Sequence, residues 1–385
     1  MHFDRQTWCA RAATIIVLGG LALSGCGSVT PVSPDGSGMT PLDAGSDGTS
    51  PVCFGKVFPI CLSAVPSSPR TFQVSTSIDT DSTGSASECD QNNDQVANYC
   101  VITGAGLTLP VGATLTAHGS KPLVLLSTTT MEIAGSIDVS SHQGGATFPG
   151  AGSNPKTAGA CTSMPPPVGP TQNGGGYGGS FGVQGGNGGT SQVGTGGGIA
   201  ARKLAAFPAV LRGGCSGSYG SAGGVEVQGG DGGGAVALIA AMQIHIDGTI
   251  NASGAGGNGG IQNVGDGGGA GSGGGSGGMI LLDSPLPLVF GASVKVWANG
   301  GSGGQGAAAH TDGASGTESS APSTAATTPV TSGAAGTGGA GSVGTNPGGV
   351  GGSVSSGGGG AGGGGGGLIF APGLTDPASI SPPSS

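Results

Sequence analysis

Leu123-Val-Leu-Leu126, Met131-Glu-Ile133-Ala-Gly135 and Ser136-Ile137-Asp-Val139 follow one another closely, and the pattern returns twice. The second copy is Val236-Ala-Leu-Ile239, Ile244-His-Ile246-Asp-Gly248 and Thr249-Ile250-Asn-Ala252. The third is Met279-Ile-Leu-Leu282, Leu286-Pro-Leu288-Val-Phe290-Gly291 and Val294-Lys-Val296. A glycine stands nine residues after the last apolar residue of each opening run, at Gly135, Gly248 and Gly291. Each run has strand length, is rich in Val and Ile, and alternates in its second half. One such unit cannot bury its own apolar face, but stacked units can, through parallel sheets with a shared interior. The unit length of roughly 20–25 residues lies in the solenoid range. Glycine at a corner lets the chain bend where a side chain would clash. The pattern predicts an all-β chain whose core is a single-stranded right-handed parallel β-helix over 107–374. An antiparallel sandwich fits the fixed internal distance less well. Partial copies begin at Leu107-Thr-Leu109 and at Leu368-Ile-Phe370.

Outward from these units the chain is mostly glycine. Three inserts, near 144–234, 254–278 and 300–367, separate the apolar clusters. They are expected as long loops carried outside the solenoid, since closure entropy grows only logarithmically with loop length. Two physical states suit them. One is disorder, because glycine loses the most entropy on ordering. The other is polyproline-II-like packing, with three residues per turn and glycine at the crowded contacts. The segment 307–335, rich in Ala, Ser and Thr, is expected to be mobile and open to glycosylation.

Composition limits the chemistry. Glycine supplies 91 of 385 residues and proline 25, which disfavours a helical protein. Ten Lys+Arg against nineteen Asp+Glu give a net charge of −9, which offers no basic face for nucleic acid. Charged residues are only 8% of the chain, so groups for acid–base work are scarce.

Residues 1–25 read as an export signal, with Arg5 and Arg11 flanking the apolar stretch Ala12 to Leu23. That stretch is too short to span a bilayer comfortably. It ends in Leu23-Ser24-Gly25-Cys26, which resembles the bacterial lipobox. The resemblance implies cleavage before Cys26, lipid attachment at Cys26 and anchoring by several acyl chains. Gly27, in place of an aspartate, implies by the same analogy passage to the outer membrane or cell surface. Residues 26–51, rich in Ser, Gly, Pro, Asp and Thr, read as a flexible tether. An entry segment over 52–106 and a disordered tail over 375–385 complete the expected organisation.

Six further cysteines remain beyond the signal: Cys53, Cys61, Cys89, Cys100, Cys161 and Cys215. An even set in an exported chain suggests disulfides. Sequence proximity favours Cys53–Cys61, Cys89–Cys100 and Cys161–Cys215, although fifteen connectivities are open. No Cys-x-x-Cys occurs and the histidines are scattered, so neither a metal site nor a cofactor is expected.

Other motifs fall away in turn. Matches to Gly-x-Gly-x-x-Gly carry no information in a chain this rich in glycine. The acidic group Asp79, Asp81, Glu88, Asp90 and Asp94 lacks the turn glycine and terminal glutamate of a calcium loop, and reads as a solvated loop. Glycoside cleavage needs two convergent carboxylates. Aligning the units sets Asp138 against Asn251 and Lys295, and Asp247 against Ala134 and Phe290, so no acidic pair stacks. Serines show no His/Asp context for nucleophilic work. Tyr177, Phe181, Tyr219 and Trp297 are the candidate sugar-stacking residues.

The entry segment Cys53 to Cys100, Lys121-Pro-Leu-Val-Leu-Leu126, Arg212-Gly-Gly-Cys215 and Ile250-Asn-Ala-Ser-Gly254 resemble uncharacterised glycine-rich lipoproteins predicted from myxobacterial genomes. A looser, compositional similarity is to glycine-rich repeat surface proteins of mycobacteria. Neither implies catalytic residues. The resulting expectation is a lipid-anchored, non-catalytic protein with a structural or adhesive role in the cell envelope. Its partners would be the membrane through its lipid, and envelope or matrix polysaccharide or neighbouring cells, but not nucleic acid. The alternative is a β-helix that binds or cleaves carbohydrate, with an architecture like that of pectate lyase.

Overall fold

A computed structural model describes residues 50–385, apart from 84–86, 144–148, 155–160, 162–168, 171–172, 192–195, 221–226, 263–267, 331–334 and 377. The chain divides into two compact units, Met1–Gly48 and Thr49–Ser385, and the description below is of the second. The export signal, Cys26 and nearly all of the tether lie outside the described residues.

Eighteen short strands follow in chain order. They are β1 (Val52–Phe54), β2 (Ile60–Leu62), β3 (Arg70–Thr71), β4 (Thr76–Asp79), β5 (Cys100–Gly104) and β6 (Leu107–Leu109). Next come β7 (Thr114–His118), β8 (Leu123–Ser127), β9 (Met131–Ile133), β10 (Ser136–Asp138), β11 (Ala235–Ala240) and β12 (Ile244–Ile246). The last are β13 (Thr249–Asn251), β14 (Met279–Asp283), β15 (Val289–Phe290), β16 (Lys295–Trp297), β17 (Leu368–Phe370) and β18 (Ile380–Ser381). Strands β1 and β2 form an antiparallel hairpin. The others form three parallel sheets, in the orders β3-β6-β9-β12-β15, β5-β8-β11-β14-β17 and β4-β7-β10-β13-β16-β18. Among the described residues there is no helix, and so none long and apolar enough to cross a membrane.

The alternating strands face one interior. Ile137, Ile250 and Val296 lie side by side across one sheet, and Leu125, Leu238 and Leu282 across another. All six belong to one buried cluster. Strands β8, β11 and β14 are buried on both faces, which is why their sequences are continuously apolar. Their second face packs Val124, Ala237 and Leu281 against Phe58, Ile60 and Leu62 of the hairpin and against Phe181 and Leu211.

The glycine segments form the other half of the architecture. Gly271, Gly274 and Gly277 donate to the carbonyls of Gly359, Gly362 and Gly365 at 2.9–3.1 Å. Gly254, Gly257 and Gly260 donate likewise to Asn299, Ser302 and Gln305. Every third residue thus faces the same neighbour, which is the period of a polyproline-II-like helix. Successive residues face different neighbours: Gly273, Gly274 and Gly275 donate to Ser218, Gly362 and Ala255, on three separate segments. A segment surrounded this way has no side left for a side chain. A Cβ on Gly176 would stand 2.6 Å from the Ser218 oxygen and 2.8 Å from both the Gly273 nitrogen and the Tyr219 oxygen. The buried N–H groups are paired between segments, as burial requires.

These segments continue the sheets directly. Residues after β13 and β16 run into 252–261 and 298–307, and segments 269–278 and 358–367 run into β14 and β17. The strand register carries through. Ala252 donates to Trp297 where the strands end, and Gly254 then donates to Asn299 with the same offset.

The chain is therefore not the single-stranded right-handed parallel β-helix expected from the repeat. It holds three parallel sheets of short strands that are not coiled into a solenoid. Ninety-six residues separate β10 from β11, and seventy separate β16 from β17, with packed glycine segments in both intervals. A solenoid would need these intervals to be outward loops, whereas they are packed against one another. Of the two states considered for them, the segments 252–261, 269–278, 298–307 and 358–367 adopt the polyproline-II-like packing. Two smaller expectations also change. Residues 375–385 are not a disordered tail, since Ile380 and Ser381 pair with β16 and are buried. The entry segment 52–106 carries two disulfides and supplies β3, β4, β5 and the hairpin β1–β2. Lys295 pairs with Thr249, and Asp138 lines up with Asn251 and Trp297.

Candidate functional site

The densest group of reactive side chains lies just past β10. Asp138, Ser140 and His142 alternate along an extended stretch, so all three reach the same side. The His142 Nε2 is 3.5 Å from Asp138 Oδ2 and 3.2 Å from Ser140 Oγ, and its Nδ1 is 3.3 Å from Glu318 Oε2. Glu318 also accepts the Gln143 N–H at 2.6 Å, which ties the insert around 318 to the end of β10.

A serine, a histidine and a glutamate in this order have the outline of a nucleophilic triad. The electrostatics give them a different role. Hydrogen bonds to Asp138 and then Glu318 outweigh burial and raise the His142 pKa to about 10. At neutral pH the imidazole is an imidazolium and cannot accept a proton from Ser140. The Ser140 hydroxyl donates instead to Asp138 Oδ1 at 2.5 Å, and the residue is only 5% exposed. Burial alone would raise the Asp138 pKa, but the hydrogen bonds from His142 and Ser140 prevail and hold it below the usual carboxylate range. The group is a charged clasp. Ser140 does have a His/Asp neighbourhood, though not one arranged for the nucleophilic work that the sequence reading set aside. The signal was the spacing Asp138-x-Ser140-x-His142, but Glu318 is too distant in sequence to be paired with it by eye.

The acidic residues grouped in sequence bind the protein's own N–H, hydroxyl and guanidinium groups, with Glu88 and Asp90 both beside Arg70 and Asp79 accepting the Asp81 N–H. Asp90 accepts the Thr103 N–H at 2.6 Å and its hydroxyl at 2.7 Å, and so covers the free edge of β5. Asp81 accepts the Ser120 N–H at 2.7 Å, Asp94 accepts the Cys61 N–H at 2.9 Å, and Glu88 pairs with Arg70 at 2.5 Å. Among the described residues, no three His, Cys, Asp or Glu side chains converge to hold a metal.

The cysteines join as Cys53–Cys61, Cys89–Cys100 and Cys161–Cys215. The last bridge lies beside Arg212, whose guanidinium sits 4.7 Å over the Phe181 ring and donates to both sulfurs at 3.3–3.4 Å. Burial lowers the Arg212 pKa to about 10, so it stays charged at neutral pH. Of the candidate stacking residues, Phe181 and Trp297 are buried, while Tyr219 is exposed and Tyr177 half-buried. The four do not make an open platform. Cys26 lies outside the described residues.

No family model matches the chain, and neither a curated protein nor a solved structure matches it.

Proposed function

We propose that the protein is a lipid-anchored, extracytoplasmic structural or adhesive element of the cell envelope. Cys26 is its attachment point, and it carries out no catalytic step. The observation that supports this most is the packed glycine body. A lattice of backbones in mutual contact makes a stiff object from a chain poor in reactive groups, which suits a spacer or a presenting surface. Three disulfides agree with an oxidising compartment. In the sheet that runs from β5 to β17, covered edges agree with a body that does not add strands from other chains there. Asp90 covers β5, and at the opposite end Ser384 and Ser385 bond to Ala371 and Ile369 beside β17.

The test is fractionation of cells carrying Cys26→Ser. Release of the protein from the membrane fraction supports the anchor, and retention there refutes it. A deletion strain that loses cell–cell or cell–matrix adhesion supports the adhesive role. Turnover in a polysaccharide depolymerisation screen refutes the non-catalytic reading.

A further inference from the structure

Arg212 is only 8% exposed, and among the described residues no carboxylate pairs with it. Its guanidinium contacts the Phe181 ring, the Gly213 carbonyl and both sulfurs of the Cys161–Cys215 bridge. A buried cation without a counter-charge is costly. The bridge is neutral and leaves that cost in place, whereas a thiolate at either sulfur would remove it. Among the described residues, neither Cys53–Cys61 nor Cys89–Cys100 takes a hydrogen bond from a cation.

The two sulfurs differ in access. Cys161 is half-buried on a turn, whereas Cys215 is 3% exposed. Cys215 is also fixed through its backbone. Its N–H donates to Ser276 Oγ at 2.8 Å, and its carbonyl accepts the Ser276 N–H at 2.9 Å. Gly213 and Gly214 donate to the carbonyls of Gly152 and Gly233 at 2.9 and 2.7 Å. None of these bonds involves the bridge, so Arg212 and Cys215 keep their places when it opens.

We propose that Cys161–Cys215 is a thiol–disulfide exchange site that an external dithiol opens, with Arg212 holding the Cys215 thiolate. One thiolate of the dithiol attacks Cys161 Sγ, the sulfur with access. The S–S bond breaks and its electron pair leaves on Cys215 Sγ, beside the guanidinium. The second sulfur of the dithiol, as a thiolate, attacks the first, closes the dithiol into a disulfide and displaces Cys161, which takes up a proton. Two electrons pass to the bridge. Of the two protons carried by the dithiol, one ends on Cys161 and one enters the solvent. The bridge is the substrate of this exchange and not its catalyst, and the inference stands apart from the anchoring and adhesive readings.

The released proton supplies the test. If both cysteines stayed protonated, the equilibrium constant against dithiothreitol would be nearly flat around neutral pH, since ordinary thiols ionise near ~8.5. With Cys215 as a thiolate it climbs toward about tenfold per pH unit. Of the titratable groups on the segments packed around the bridge, Asp231 is tied to Asn154 at 2.5 Å, Tyr99 to the Leu211 backbone, and Tyr177 lies by Tyr219. The charged group that touches both sulfurs is Arg212.

The purified full chain is equilibrated at pH 6.5 and 7.5 in mixtures of reduced and oxidised dithiothreitol, quenched by alkylation, and each cysteine pair is counted by mass spectrometry. Between the two pH values the constant for Cys161–Cys215 is expected to rise at least threefold. Arg212→Met should flatten that rise and lower the constant at pH 7.5 at least tenfold, and Arg212→Lys, which keeps the charge, should retain it. An unfolding midpoint in guanidinium with the bridge closed certifies the fold of each variant. A bridge that stays closed in excess reduced dithiothreitol, a rise below threefold in the wild type, or an unchanged rise in folded Arg212→Met overturns the proposal. If Arg212→Met does not fold, the wild-type rise and its retention in Arg212→Lys decide the matter.

Discussion

Replacing Gly176 by alanine places one methyl group in the middle of the glycine lattice. The new carbon meets three backbone atoms, at 2.6, 2.8 and 2.8 Å, that belong to two different segments. Ordinary van der Waals contact begins near ~3.4 Å, so each atom must retreat by about half an ångström or more. None is the end of a flexible side chain. The two segments are also bonded to each other, since Gly273 donates to Ser218 at 2.9 Å, and Ser218 donates in turn to Tyr177, next to Gly176, at 2.9 Å. Moving them weakens two or three hydrogen bonds worth about 0.5–1.5 kcal/mol each. Alanine returns about 0.4–1 kcal/mol by restricting the unfolded chain. The net loss is expected at about 1–3 kcal/mol, the usual scale of overpacking. Gly196 supplies the control, because a Cβ there meets nothing within 4 Å. Gly196→Ala should be neutral or slightly stabilising. Equilibrium unfolding in guanidinium with the disulfides intact, read on both variants, gives the difference. If the two midpoints agree within error, the glycine segments are not packed as described and the reasoning fails.

Two further outcomes follow from the clasp and the long disulfide. The folded-state pKa of His142, about 10, exceeds the ordinary value of 6.5, so the clasp contributes fully below about pH 6.5 and is lost as pH rises through 10. Because the side chain is about half exposed, solvent screening limits the contribution to roughly 1 kcal/mol. The unfolding midpoint of the wild type should fall between pH 7 and 10.5 by more than that of His142→Gln, and parallel curves would count against the clasp. Removing the bridge with Cys161→Ala/Cys215→Ala opens a loop of sequence separation 54, and loop entropy sets the loss at about 4 kcal/mol. A loss under about 1 kcal/mol in denaturant titration would show that the unfolded chain is already restrained there.

The strands were legible because each pairs a local pattern with a partner of the same pattern. Ile137 and Ile250 share a register, as do Met131 and Ile244. The third unit was misaligned at its opening, where Ile239 pairs with Asp283 rather than Leu282. A run buried on both faces has no alternation to fix its phase. The glycine segments were the larger loss. Hydrophobic periodicity cannot reveal a lattice whose cohesion comes from backbone hydrogen bonds, and Gly-Gly-x looks the same packed or free. The clasp was half legible, since Asp138, Ser140 and His142 are neighbours while Glu318 arrives from an insert 176 residues beyond His142.

The three-residue turn also governs how such a chain can change length. Adding or deleting one residue within 269–278 would rotate everything between the lesion and β14 by a third of a revolution. Donors now aimed at Gly359, Gly362 and Gly365 would then face other neighbours. A whole turn preserves the angle and shifts only the axial position, by about 9 Å. Matched triplets added to adjoining segments would lengthen the body without scrambling it, so its natural unit of growth is the codon triplet taken three at a time.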